Sequence, residues 1–142
     1  MHGEGKGMDY TWREDLPEAG QFFRLYTFTG WNERRNLTSE QLARAIRSSF
    51  YTLSVYRGDE LVAFGRLVSD GVYQCFICDM IVLPPYQGQG LGRMVMRGLV
   101  DHARSNGIAW LQLTCAKGKR GFYEKLGFAT RPEDAPGMEL WL

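Results

Sequence analysis

Three glycines alternate with other residues in the segment Gln87-Gly88-Gln89-Gly90-Leu91-Gly92, between an apolar run and a stretch with helical spacing. Glycine adopts positive φ and lets a ligand approach the main chain, because no Cβ stands in the way. The first N–H groups of a helix have no partner within it, and the helix dipole favours an anion there. The segment predicts a site for phosphate or pyrophosphate. The alternative is a tight turn that serves only a close contact between helix and sheet.

Two common nucleotide-binding patterns are excluded by the same residues. The P-loop pattern fails because no Gly-Lys-Ser/Thr follows. The dinucleotide pattern G-x-G-x-x-G fails because its sixth position, counted from Gly88 or Gly90, is Arg93 or Val95. No acid stands at the end of the next predicted strand to bind a ribose. The predicted anion therefore belongs to another class of ligand.

Two motifs resemble those of the GNAT N-acetyltransferase superfamily. Gln87-x-x-Gly90-x-Gly92 is similar to its acyl-CoA-binding motif, Arg/Gln-x-x-Gly-x-Gly/Ala, and Phe122-Tyr123-Glu124-Lys125-Leu126-Gly127-Phe128 is similar to its closing-helix signature, F-Y-x-K-x-G-F. The resemblance implies one N-acetyltransferase domain over residues 9–142. It also implies that acetyl-CoA is the cosubstrate, that an amine attacks the thioester directly, and that no metal takes part.

The resemblance further implies which residues contact acetyl-CoA. In the family the main chain around Ile81 and Val82, where the fourth strand bulges, faces the thioester, and an unpaired N–H there would bind the oxyanion. The remaining predicted contacts are the loop residues and the first turn of the following helix: Gln87, Gly88, Gln89, Gly90, Leu91, Gly92 and Arg93.

One position departs from the family pattern. Many members carry Asn where Ala116 stands, seven residues before the motif tyrosine. The CoA contact made by that Asn is therefore left open here. Lys117, Lys119 or Arg120 could meet phosphate oxygens instead, and the alternative is that they are solvated loop charges.

Two residues are predicted to move protons. The resemblance implies that Tyr123 is the general acid, since a phenol with a pKa of about 10 can donate to a thiolate whose own pKa is about 8.5; the alternative is a residue that only packs near the cofactor sulfur. Asp79 is the single acid in the apolar run 72–83. An unpaired buried carboxylate is costly and becomes a stronger base. Asp79 is therefore predicted to accept the amine's proton, directly or through water; the alternative is a structural carboxylate that caps an N–H.

The acceptor amine is predicted to bind near the first two helices. Trp31 and Tyr26 flank a glycine-containing loop, and in the family this region borders the acceptor site. Aromatic rings there could receive an apolar or cationic amine, whereas the alternative is core packing. Glu33, in the same predicted loop, is a second candidate base. With 17 Lys+Arg against 16 Asp+Glu, the net charge of +1 predicts a small-molecule amine and no nucleic-acid partner.

The cysteines do not predict metal or redox chemistry. Cys75 and Cys78 are three residues apart in a predicted strand, which places them on opposite faces, and no second Cys/His pair is present. No apolar run approaches the ~20 residues of a membrane span, so no membrane partner is predicted. Residues 1–8 lack the apolar core of a signal peptide and are predicted to be a disordered lead or a cloning remnant. Free thiols are typical of a reducing compartment, so the cytoplasm is the predicted location.

The periodicity of apolar residues predicts the elements that position these groups. Strands are predicted at 9–13, 51–57, 61–68, 72–83, 108–114, 128–130 and 138–142, and helices from 17, from 39, from 91 to about 106, and over 119–126. This order predicts an α/β domain with a GNAT-like central mixed, mostly antiparallel sheet flanked by about four helices. The alternatives for function are a CoA- or nucleotide-sensing module without turnover, or an acyltransferase that uses another acyl-CoA. A homodimer is left open.

Overall fold

The computed structural model describes residues 9–142, so the predicted disordered lead over residues 1–8 lies outside the described residues. The chain forms two compact units, the first ending at Gln112 and the second covering Leu113–Leu142. The elements in chain order are β1 (Tyr10–Arg13), α1 (Ala19–Thr27), α2 (Asn32–Arg35), α3 (Ser39–Arg47), β2 (Tyr51–Arg57), β3 (Glu60–Ser69), β4 (Cys75–Val82), a single 3-10 turn (Pro84–Tyr86), α4 (Leu91–Ser105) and α5 (Arg120–Glu124).

The first unit is built on an antiparallel sheet with the strand order β1-β2-β3-β4. The predicted hairpin between β2 and β3 is confirmed, with Gly58 at φ 59° in its turn. The α/β class is also confirmed.

The second hairpin turn delays the start of β4. Asp70 Oδ1 accepts the N–H groups of Val72, Tyr73 and Gln74 at 2.8, 2.9 and 3.2 Å. An Asp side chain that binds the following N–H groups offers the main chain an alternative to the ladder. The predicted strand from residue 72 is therefore wrong at its start, since β4 begins at Cys75.

The core lies where α4 crosses the sheet. The apolar stripe of α4 is buried as predicted at Leu91, Val95, Leu99 and Ala103, but Met94, which the same spacing placed on this face, is 40% exposed and Met96 is buried instead. Burying each large apolar side chain stabilises the fold by about 1.5–3 kcal/mol. α3 begins at the predicted signal, since the Thr38 hydroxyl accepts the Gln41 N–H and the Gln41 side chain accepts the Thr38 N–H.

Two glycines allow α4 to approach the sheet closely. A Cβ at Gly65 of β3 would lie 2.8 Å from Val95 Cγ1 and 3.0 Å from Leu99 Cδ1, and a Cβ at Gly98 of α4 would lie 2.5 Å from Leu53 Cδ2. These distances are shorter than van der Waals contact, so both positions need glycine for space.

The predicted closing strands are wrong. Among residues 9–142 the fifth strand is reduced to one parallel bridge between Phe76 and Gln112, with hydrogen bonds Ile77 N–H to Gln112 O and Gln112 N–H to Cys75 O, both 2.9 Å. Residues 128–130 and 138–142 contain no strand. Alternation of apolar residues is a local pattern, whereas a strand also needs a partner. The short helix α2 was not predicted.

Candidate active site

The glycine loop has the backbone conformation that glycine tolerates best. Gly88 and Gly90 have φ values of 79° and 85°, and Gly90 is the N-cap of α4. A Cβ at either position would meet nothing within 4 Å. Glycine is therefore needed here for conformation, and the space beside the loop is open to a ligand.

The start of α4 presents free N–H groups. Met94 donates to Gly90 O at 3.1 Å, so the N–H groups of Leu91, Gly92 and Arg93 precede the first helical hydrogen bond. The first turn contains no acidic residue, and Arg93 is exposed. The positive end of the helix dipole adds to this arrangement. The loop can therefore bind an anion, which is the chemistry predicted from the sequence.

Gln87 joins the loop to the end of β4. Its side chain Nε2 donates to Val82 O at 2.9 Å. The structure thus brings together two of the predicted acetyl-CoA contacts, one in the loop and one on the strand.

Two tyrosines fix the other side of the loop. Tyr10 of β1, which is 2% exposed, donates its hydroxyl to Gln89 Oε1 at 2.6 Å. Its ring meets the Tyr86 ring edge-on at 6.4 Å, and the Tyr86 hydroxyl donates to Glu60 Oε1 at 2.9 Å. The sequence did not indicate these contacts, because they join residues that lie far apart in the chain.

The predicted bulge is present in β4, slightly earlier than expected. Phe64 pairs with Ile81, but Arg66 pairs with Cys78, so Asp79 and Met80 both lie opposite Gly65. One extra residue in one strand is the definition of a β-bulge. The expectation placed the bulge around Ile81 and Val82.

The bulge determines which N–H groups face the free edge of β4. The N–H groups of successive residues point to opposite edges of a strand. Because Leu83 donates to Val62 O at 2.9 Å in β3, the Val82 N–H faces the free edge and that of Ile81 faces β3. The Ile77 N–H also faces the free edge, where Gln112 accepts it. In a regular strand, the N–H groups of residues an odd number of positions apart point to opposite edges, and Ile77 and Val82 are such a pair. Both point to the free edge because the bulge inserts one extra residue between them.

Asp79 occupies the strained position of the bulge and is ion-paired. Its φ of 53° lies in the left-handed region, which costs a residue with a Cβ roughly 1–2 kcal/mol. Arg66 Nε donates to Asp79 Oδ2 at 2.7 Å, and the two side chains are 16% and 17% exposed. An unpaired carboxylate was expected at this position, and that expectation is wrong. Among residues 9–142, no donor to Oδ1 is found.

The predicted acceptor residues lie around α1 and α2. Tyr26 is 2% exposed, accepts a 2.6 Å hydrogen bond from Arg35 Nη1 at its hydroxyl, and packs on Phe22 at a ring distance of 6.0 Å. The half-buried Trp31 meets the Tyr26 ring edge-on at 5.8 Å. Glu33 lies on α2 and is exposed, so its predicted loop is wrong. Of these two aromatic residues, Tyr26 is therefore a core residue and Trp31 has exposed surface.

Tyr123 lies on α5 in the second unit. Its ring is half-buried and meets Phe122 and Phe128 edge-on, with ring centroids 5.0 and 6.1 Å away. Its carbonyl accepts the Leu126 and Phe128 N–H groups at 3.0 and 3.1 Å. Burial, followed by the nearby Cys115 thiolate, raises the pKa of Tyr123 above its ordinary value of 10. The phenol therefore keeps its proton at neutral pH, as a general acid requires.

The cationic segment before α5 is exposed. Lys117 and Lys119 are exposed, and Arg120 forms an i,i+4 ion pair with Glu124 at 3.5 Å. The Lys119 N–H donates to Ala116 O at 3.0 Å and closes the preceding turn. The two lysines thus have the exposure that a phosphate contact needs.

The cysteines are free thiols in three environments. Cys75 is buried, Cys78 is half-buried and Cys115 is exposed. Burial raises the pKa of the Cys75 and Cys78 thiols, which lowers their reactive thiolate fraction. In the part of the chain that the structure describes, no group of three His, Cys, Asp or Glu side chains could hold a metal ion. Nor is any helix in that part long and apolar enough to cross a membrane.

Comparison with known families identifies the class of protein. The model of the Acetyltransferase (GNAT) family matches residues 12–128. This match covers most of the chain and both predicted motifs, so the chain belongs to the GNAT acetyltransferase family. The resemblance drawn from the two motifs is confirmed.

Two curated relatives share this domain. The chain is 41% identical over 80 residues to serotonin N-acetyltransferase 2, chloroplastic, of Oryza sativa subsp. japonica, covering 56% of this chain and 40% of that protein. It is 34% identical over 119 residues to the uncharacterized N-acetyltransferase ycf52 of Gracilaria tenuistipitata var. liui, covering 81% of this chain and 64% of that protein. The chain therefore spans less than two-thirds of the length of either relative.

Solved structures show the same fold. A GNAT family acetyltransferase from Streptococcus pneumoniae TIGR4 is 29% identical with a TM-score of 0.74, covering 94% of this chain and 97% of that one. A protein of unknown function from methicillin-resistant Staphylococcus aureus is 24% identical with a TM-score of 0.84, covering 94% and 99%. PaiA N-acetyltransferase from Thermoplasma acidophilum, solved in complex with coenzyme A, is 17% identical with a TM-score of 0.71, covering 87% and 92%.

Proposed function

We propose that this protein transfers the acetyl group of acetyl-CoA to the amine of a small molecule. The observation that carries the proposal is the hydrogen bond from Gln87 Nε2 to Val82 O. It places a loop suited to phosphate oxygens beside a strand edge that offers a main-chain N–H. A CoA thioester needs both, one for its pyrophosphate and one for its carbonyl.

The donor would be held mainly through main-chain N–H groups. The loop from Gln87 to Gly92 and the exposed Arg93 would bind the pyrophosphate at the start of α4. Lys117 and Lys119, both exposed, remain candidate phosphate contacts. The PaiA relative was solved with coenzyme A, which supports CoA over other pyrophosphates.

The transfer balances with the groups that the chain supplies. The amine nitrogen attacks the thioester carbonyl carbon, and the oxyanion that forms accepts a hydrogen bond from the Val82 N–H. The carbon–sulfur bond then breaks and the thiolate takes a proton from the Tyr123 phenol. The amine's proton passes to Asp79 and from there to solvent, and solvent returns one proton to the Tyr123 phenolate. The products are an N-acetyl amine and free CoA.

Asp79 is the proposed acceptor of the amine's proton. Its Oδ2 is bound by Arg66, so the Oδ1 atom would accept the proton, directly or through one water. Asp79→Asn keeps the shape and removes the basic oxygen. If Asp79 is the base, kcat falls in this variant while the dissociation constant of acetyl-CoA stays unchanged.

The acceptor is proposed to be a small amine with an apolar body. The half-buried Trp31 and the 55%-exposed Phe28 present aromatic surface in the region where the family binds acceptors. The name of the rice relative specifies serotonin, an aromatic amine, which favours this class. The net charge of +1 gives no attraction for a polyanion. The cytoplasm is our proposed location, supported by three free cysteines.

The test combines binding with turnover. Acetyl-CoA affinity is measured by calorimetry, and a panel of aromatic amines, polyamines, amino sugars and amino acids is screened with acetyl-CoA by the release of free thiol. We expect binding and amine-dependent thiol release, strongest for the aromatic amines. Binding without release from any amine would identify a CoA sensor instead. Release with a longer acyl-CoA but not with acetyl-CoA would identify another acyltransferase.

A further inference from the structure

We propose that Arg66 is a positioning residue that holds the β4 bulge in its active geometry through Asp79. The inference rests on the proposed function, because it concerns the strand edge that would bind the thioester carbonyl. It gives a role to a half-buried ion pair that the sequence did not indicate.

The bulge needs an external constraint. Asp79 has a φ of 53°, a conformation that a residue with a Cβ adopts only when its surroundings hold it there. Without the extra residue in β4, the alternation of N–H groups would turn Val82 towards β3. The conformation at Asp79 thus decides which N–H reaches the free edge.

Arg66 is built to supply this constraint. Its Nε donates to Asp79 Oδ2 at 2.7 Å, while its Nη1 donates to Ala45 O at 3.2 Å and to Ser49 Oγ at 3.3 Å. The guanidinium is therefore fixed at the C-terminal end of α3 as well as at the bulge. A planar group with several donors can hold two elements at once, which a lysine cannot do in the same way.

The same bulge lies beside the part of β3 on which α4 packs. Met80, the second residue of the bulge, faces Gly65, since a Cβ at Gly65 would lie 3.4 Å from Met80 Sδ and 2.8 Å from Val95 Cγ1. α4 begins at the glycine loop. Arg66 thus acts where the free edge of β4 lies close to α4, the helix whose N-terminus forms the phosphate site.

The first variant removes the constraint and keeps the side-chain stem. Arg66→Met is expected to lower kcat at least tenfold, while the dissociation constant of acetyl-CoA stays within about threefold, because the loop keeps its own hydrogen bonds. Arg104→Met is the matched control, since it breaks an exposed Arg–Asp pair on α4, with Asp101 at 3.1 Å. The control is expected to keep the wild-type kcat. Wild-type kcat in a folded Arg66→Met would overturn the proposal.

A second variant separates positioning from proton transfer. Glycine adopts φ 53° without strain, so Arg66→Met/Asp79→Gly is expected to restore the wild-type positions of the Met80 and Val82 amide resonances, while its kcat stays low because the proposed base is gone. It also leaves no unpaired half-buried carboxylate, so it should fold even if the single variant does not. Met80 and Val82 amide resonances that stay displaced in the double variant would overturn the positioning role.

An amide spectrum tests the inference independently of turnover. In ¹⁵N-labelled protein, the Met80 and Val82 amide resonances are expected to move in Arg66→Met and to return in the double variant, whereas Thr11 in β1 stays in place. This result would support the clamp even if no amine were acetylated, a case in which only the proposed function would fail. Unmoved Met80 and Val82 resonances in Arg66→Met would contradict the clamp.

Discussion

The Tyr10 hydroxyl donates a 2.6 Å hydrogen bond to Gln89 Oε1, which ties the first strand of the sheet to the middle of the glycine loop. Gln89 stands between the two glycines with positive φ, Gly88 and Gly90. These glycines give the loop little stiffness of their own. The hydrogen bond restricts the conformations of the unbound loop. Less conformational entropy is therefore lost when the loop binds an anion.

Removing this hydrogen bond should weaken acetyl-CoA binding modestly. Tyr10→Phe keeps the ring contact with Tyr86 and deletes the hydroxyl. A hydrogen bond contributes about 0.5–1.5 kcal/mol net, so the dissociation constant should rise about two- to tenfold. Calorimetry measures it, with the exposed Tyr73→Phe as the control. An unchanged constant would show that the loop is held without Tyr10.

A methyl group at Gly65 should destabilise the first unit. The Cβ of Gly65→Ala would lie 2.8 Å from Val95 Cγ1 and 3.0 Å from Leu99 Cδ1. Overpacking of this kind costs about 1–3 kcal/mol of unfolding free energy. Urea unfolding measures the loss, and Gly137→Ala is the control, because a Cβ there meets nothing within 4 Å. Equal stability of both variants would mean that α4 is not seated against β3 as described.

The turn before β4 should lose stability in acid. The N–H groups of Val72 and Tyr73 hold the pKa of Asp70 below its ordinary value of 3.8. A lowered pKa means that the folded state favours the charged carboxylate, so its contribution is complete above pH 3.8 and is lost as the pH falls through the folded value. The melting temperature of Asp70→Ala should lie below that of the wild type at pH 6.

The pH series provides the control for this effect. The difference in melting temperature between wild type and Asp70→Ala should shrink steadily below pH 3.8. Tyr73→Phe, at an exposed residue of the same turn that carries no carboxyl group, should show no such pattern. A difference that stays constant down to the acid limit would mean that the Asp70 charge does not stabilise the turn.

The general-acid role of Tyr123 makes a separate prediction. Tyr123→Phe removes the hydroxyl, so kcat should fall by ~10²–10⁴ while KM for acetyl-CoA barely changes, as expected for an interaction made only in the transition state. Because burial raises the pKa of Tyr123 above 10, the phenol stays protonated over the whole neutral range. The midpoint of any loss of rate from Tyr123 ionisation should therefore lie above pH 10.

Steady-state kinetics over a pH series measures both effects. Near-full kcat in Tyr123→Phe would mean that the thiolate leaves without help from this residue. A raised KM with unchanged kcat would assign the hydroxyl to donor binding.

Local patterns predicted the parts of the fold that local chemistry controls. The capping box at Thr38 and Gln41 starts α3, and the stripe from Leu91 to Ala103 is the buried face of α4. The glycine loop was also predictable, because its conformation depends on its own residues. These features need no information about distant parts of the chain.

Long-range contacts account for what was missed. The Arg66–Asp79 pair joins β3 to β4, and the Tyr10–Gln89 bond spans 79 positions. Neither pairing follows from periodicity or from a motif. The strands predicted at 128–130 and 138–142 fail for the same reason, because a strand depends on a partner that its own residues do not specify.

The central claim is that the glycine loop holds the acetyl donor, and one affinity measurement tests it most directly. Gly90→Asp places a carboxylate at the start of α4, where the phosphates would bind. Gly90→Asn carries the same backbone strain without the charge, and Gly107→Asp places the same carboxylate after the other end of α4, at a glycine with φ 77°. By calorimetry, acetyl-CoA should bind Gly90→Asp at least tenfold more weakly than the wild type, a loss of about 1.4 kcal/mol. Gly90→Asn should lose less affinity than Gly90→Asp, and Gly107→Asp should bind acetyl-CoA as tightly as the wild type. Wild-type affinity in a folded Gly90→Asp variant would contradict the account.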